Sequence, residues 1–87
     1  MFKRKKERAD TRGLEGIVTF YNQHNALHAE RVLKWEGLKV ALVPGPREIS
    51  PNCGVALRFE HHRRESVERL FKENGIQYEA IQHYPET

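Results

Sequence analysis

The chain has 87 residues, 38% hydrophobic and 31% charged, with a formal net charge of +3 and one cysteine. That length permits one domain with a thin core, since a chain this short buries only roughly 60% of the surface it exposes when unfolded. The composition is that of a folded soluble domain. It excludes an internal disulfide, because one cysteine has no partner. No apolar run approaches the length of a membrane-spanning helix.

The charge is unevenly placed. Residues 1–13 carry six basic residues, from Lys3 to Arg12, against Glu7 and Asp10, a net +4, while the remainder holds nine basic and ten acidic residues, a net −1. The folded part is therefore near neutral and does not carry the basic face expected of a nucleic-acid-binding domain. Residues 1–15 read as a basic flexible tail, with a single domain over 16–84. The N-terminus has charges with no apolar segment behind them, which does not fit a secretory signal. With the unpaired thiol, this points to a cytoplasmic protein.

In chain order, Gly16 to Tyr21 is β-branched and aromatic and predicts a strand. Asn22 to Asn25 are turn and cap residues. From Ala26 to Gly37 the apolar positions Ala26, Ala29, Val32 and Leu33 share one helical face, and Gly37 is a left-handed stop. Leu38 to Val43 predicts a second strand, ended by Pro44-Gly45-Pro46. A loop over 44–53 follows. Val55 to Phe59 predicts a third strand with Val55, Leu57 and Phe59 pointing one way. A second helix is predicted over 63–74, with Val67, Leu70 and Phe71 on one stripe and Gly75 as its stop. Ile76 to Ile81 is the last strand.

The order β-α-β-β-α-β predicts an α+β fold, the ferredoxin-like sandwich with two helices on one face of a four-stranded antiparallel sheet. The first strand is apolar on both sides, Val18 and Phe20 on one and Ile17 on the other. Both faces then need cover, and a second copy of the chain packed on the open face is the expected source.

Cys53 stands in the loop Pro44-Gly45-Pro46-Arg47-Glu48-Ile49-Ser50-Pro51-Asn52-Cys53-Gly54. Three prolines stiffen it, and Gly54 lets backbone approach closely beside the thiol. Arg47 and Arg58 are cations that would favour the thiolate, the reactive form. Asn52 and Ser50 offer hydrogen bonds to sulfur. Set against this, a lone cysteine is commonly a small buried hydrophobe. Residue chemistry leaves both readings open, although a loop flanked by Asn52 and Gly54 is a place where functional residues gather.

Other groupings are weaker. His24 and His28 stand four apart, His61 and His62 open the second helix, and His83 lies near the end. Without a carboxylate motif they fall short of a zinc ligand set, so no metal or cofactor is expected. Trp35, Tyr21, Tyr78 and Tyr84 suggest base stacking, but the third strand lacks the Gly/aromatic pattern of RNA-recognition modules.

Several stretches together carry a family resemblance: Ile17-Val18-Thr19-Phe20; Ala26-Leu27, Ala29-Glu30 and Leu33; Pro46-Arg47-Glu48-Ile49-Ser50; Cys53-Gly54; Ala56-Leu57-Arg58-Phe59; and Glu73-Asn74-Gly75-Ile76. Over about residues 16–82 the chain resembles a family of small bacterial proteins described as selenium/sulfur carrier protein-like. The resemblance implies a carrier that holds sulfur or selenium on Cys53 as a persulfide or selenosulfide, supported by Arg47, Asn52, Gly54 and Arg58, rather than a turnover enzyme. The implied partners are a donor enzyme of the cysteine-desulfurase kind and an acceptor protein. This chain departs from the pattern in its basic tail and in His61-His62, where the family more often has acidic or proline residues. The rival readings are a non-covalent ligand-sensing or protein-interaction module of the same fold, and weak RNA binding through the tail.

Overall fold

A computed structural model describes residues 11–45 and 54–84. It contains two helices and a four-stranded antiparallel sheet, in the order β1 (Gly16–Thr19), α1 (Gln23–Trp35), β2 (Val40–Pro44), β3 (Val55–Phe59), a short 3-10 turn (His61–Arg63), α2 (Arg64–Glu73) and β4 (Ala80–His83). The strands lie in the order β2-β3-β1-β4. The architecture is α+β, with β1 and β3 central and antiparallel, the ferredoxin-like arrangement.

Residue alternation decides which face each side chain takes. Val18, Phe20, Leu57 and Phe59 join Ala26, Ala29 and Leu33 of α1 and Val67, Leu70 and Phe71 of α2 in one core. The period-2 pattern of the strands and the 3.6-residue stripes of the helices meet there. Phe20 and Phe71 lie with ring centroids 6.1 Å apart, and Tyr78 covers Phe71 at 5.2 Å.

Both helices close with the same device. Gly37 takes φ +84 and Gly75 φ +66, values that a side chain disfavours. Beyond Gly37, Leu38 N–H donates to Leu33 O at 2.9 Å; beyond Gly75, Ile76 N–H donates to Phe71 O at 2.9 Å. Each closure seats a hydrophobic residue, Leu38 or Ile76, in the core. This moves two strand boundaries. The second strand begins at Val40 rather than Leu38. The last begins at Ala80 rather than Ile76, because residues 76–79 cross from the helix layer to the sheet, with Gln77 N–H donating to Asn25 Oδ1 at 3.3 Å.

The opposite sheet face carries Ile17, Thr19, Ala41, Ala56 and Arg58, all less than a tenth exposed within a single chain. Ahead of residue 16, Leu14 is fully buried and its N–H donates to Thr11 O at 2.9 Å.

Thr19 is 1% exposed, and its Oγ1 is shielded without a hydrogen-bond partner. A buried hydroxyl without a partner is destabilising relative to a methyl of the same shape. Thr19→Val is expected to stabilise the domain by about 1 kcal/mol, read as a higher urea midpoint with an unchanged slope; a lower midpoint would show that the hydroxyl finds a partner.

Candidate functional site

The loop bearing the thiol springs from the end of the sheet where β2 stops and β3 starts. There Gly45 N–H donates to Gly54 O at 3.1 Å. Antiparallel pairing puts the end of β1 at the same edge, Thr19 being opposite Ala56. The start of α1 joins them. Asn22 caps that helix, its Oδ1 accepting from Asn25 N–H at 3.0 Å, as expected of an Asn before a helix. A Cβ added to Gly54 would lie 3.7 Å from Gln23 Nε2. Glu79 N–H donates to Thr19 O at 2.7 Å, which ties the approach to β4 into the same edge.

Cys53, Arg47, Asn52 and Ser50 lie outside the described residues, as does the tail over 1–10. In the sequence Cys53 directly precedes Gly54.

Gly54 and Arg58 are described, and the structure does not bring their functional groups together. Arg58 stands four residues further along β3, roughly 13 Å at strand rise. It is 8% exposed, and its Nη2 donates to Leu14 O at 2.5 Å and Tyr84 O at 3.0 Å. Its guanidinium lies 5.1 Å from the centroid of the Tyr84 ring. These contacts hold the far end of the sheet together.

The aromatic residues do not assemble on one sheet face. Trp35 is 87% exposed at the last turn of α1 beside a shallow groove with His28 and Arg31, while Tyr78 packs on Phe71 and Tyr84 lies against Arg58. A stacking platform of the RNA-recognition kind is not formed by these residues. Gln23, whose amide nitrogen lies near Gly54, carries no signal in the sequence beyond its position just after the cap residue Asn22.

The family described as "Putative Se/S carrier protein-like" matches residues 15–83. The chain belongs to that selenium/sulfur carrier-like family. An uncharacterized protein of Methanocaldococcus jannaschii is 33% identical over 76 residues, which is 85% of this chain and 38% of that relative. The chain therefore spans well under half the length of that relative. No solved structure matches the chain. Among the described residues, no helix is long and apolar enough to cross a membrane.

Proposed function

We propose that this selenium/sulfur carrier-like chain, working in the cytoplasm, receives one sulfane sulfur or selenium on Cys53 and passes it to an acceptor protein. The observation that carries this is membership of the family over residues 15–83, in a chain with a single cysteine. Carriage on a thiol then has one possible bearer, and a carrier needs no resolving cysteine.

The chemistry is a thiol exchange. The Cys53 thiolate attacks the terminal sulfur of a donor persulfide. The new bond is Sγ to sulfane sulfur, the donor's S–S bond breaks, and the donor cysteine leaves as thiolate. The second step repeats this with an acceptor thiolate as nucleophile and Cys53 as leaving group. No net oxidant is consumed, and a selenosulfide exchanges in the same way. Arg47, Asn52 and the N–H of Gly54 stabilise the added negative charge in this reading. The tie between Gly45 and Gly54, at the end of the sheet where α1 begins, supports it by fixing where the loop departs.

Intact-mass spectrometry after incubation with a cysteine desulfurase and cysteine tests the proposal. Wild type is expected to gain the mass of one sulfur atom, reversibly by dithiothreitol, and Cys53→Ala to gain none. An unmodified wild type, or the same adduct on Cys53→Ala, overturns it.

A further inference from the structure

At the opposite end of the sheet from Gly54, three aromatic rings, Phe59, His61 and His83, lie close to one another. Gly16 of β1 pairs with Phe59 on one side and His83 on the other. His61, in the turn before α2, has its ring centroid 6.4 Å from that of Phe59 and 4.7 Å from that of His83. Glu15, just ahead of Gly16, has Oε1 3.3 Å from His83 Nε2. His61 Nδ1 is shielded from solvent and has no hydrogen-bond partner.

This arrangement has the parts of a metal-ligand pair with its support. A metal-binding imidazole characteristically gives its second nitrogen to a carboxylate, which fixes tautomer and ring orientation. Glu15 does this to His83 and leaves His83 Nδ1 to ligate. The second imidazole, His61, brings a nitrogen that nothing else satisfies. Ring centroids 4.7 Å apart suit two imidazoles on neighbouring positions of one ion, since each bond is about 2.0–2.1 Å. No three His, Cys, Asp or Glu side chains among the described residues form a ready-made metal centre. Two imidazoles with water completing the shell is therefore the stoichiometry that fits.

We propose that His61 and His83, with Glu15 orienting His83, form a binding site for a divalent transition-metal ion of the zinc, nickel or copper class. Imidazole nitrogens suit these ions, and calcium or magnesium would prefer oxygen. The site is independent of the proposed chemistry at Cys53.

The test is zinc chloride titrated calorimetrically into tag-free protein carrying Cys53→Ser, so that the thiol does not compete. One zinc per chain is expected. His83→Ala and His61→Phe, the latter keeping an aromatic ring beside Phe59, are each expected to weaken binding at least about tenfold, and Glu15→Gln by about tenfold as a supporting group. His83 and Glu15 side chains are each 50% exposed, so their variants leave the core intact. The His24→Ala/His28→Ala double variant removes the rival i, i+4 pair and is expected to change nothing. The proposal is overturned if zinc releases no heat up to millimolar concentration, if the His24/His28 variant abolishes binding, or if His61→Phe and His83→Ala both retain it.

Discussion

Replacing Arg58 with leucine is expected to lower stability by about 3 kcal/mol, roughly 12–24 °C in melting temperature for a domain of this size. The guanidinium is buried and donates to the carbonyls of Leu14 and Tyr84, which belong to the two ends of the described chain. Leucine fills much of the volume but leaves two carbonyls short of a charged donor, and charged hydrogen bonds are the stronger kind. Arg58→Lys should recover less than half of the loss, because an ammonium lacks the planar fork. Thermal melts followed by circular dichroism provide the measurement. A second readout separates clamp from site: the iodoacetamide labelling rate of Cys53 in the folded variant should match wild type. Slower labelling by tenfold with an unchanged melt would mean that Arg58 acts on the thiol instead.

Gly16→Ala is the second large effect. A Cβ there would come within 2.6 and 2.7 Å of Phe59 Cε1 and Cε2, and Phe59 is completely buried. Overpacking of this kind costs about 1–3 kcal/mol. Phe59→Leu alone should destabilise by leaving a void. Combined with Gly16→Ala, it should cost less than the two separate losses together, since the smaller side chain vacates the space that the methyl needs. A double-mutant cycle in urea reads that coupling, and strict additivity would refute the steric account.

Much of the architecture was legible because local signals agreed with one another. The apolar stripes of Ala26 to Leu33 and Val67 to Phe71, and the alternation of Val55, Leu57 and Phe59, point to the face that the structure buries. Gly37 and Gly75 end both helices as their positions suggest. Ile76 looks like a strand residue, four positions ahead of where β4 begins; its task is to close α2, and a hydrogen bond to Phe71 O is not visible in a hydropathy pattern. Arg58 is a related case. In sequence it is a cation five residues after Cys53, and only pairing with β1 and β2 shows that it faces the carbonyls of Leu14 and Tyr84. His61 and His83 are twenty-two positions apart, a spacing with no meaning until β4 folds back beside β1. Cys53 itself was readable as a candidate from its uniqueness and its flanking residues.

Where the polypeptide enters the fold and where it leaves are neighbours. Tyr84 N–H donates to Glu15 O at 2.6 Å, and one arginine holds the carbonyls on either side of that junction. A unit whose entrance and exit coincide can be spliced into a larger polypeptide, or appended to it, without straining its sheet. The geometry suits a transplantable cassette, in keeping with a relative in which the matching stretch makes up only 38% of the length. It also makes this domain a good subject for circular permutation, with a short bridge joining the two ends and new termini opened in an exposed turn.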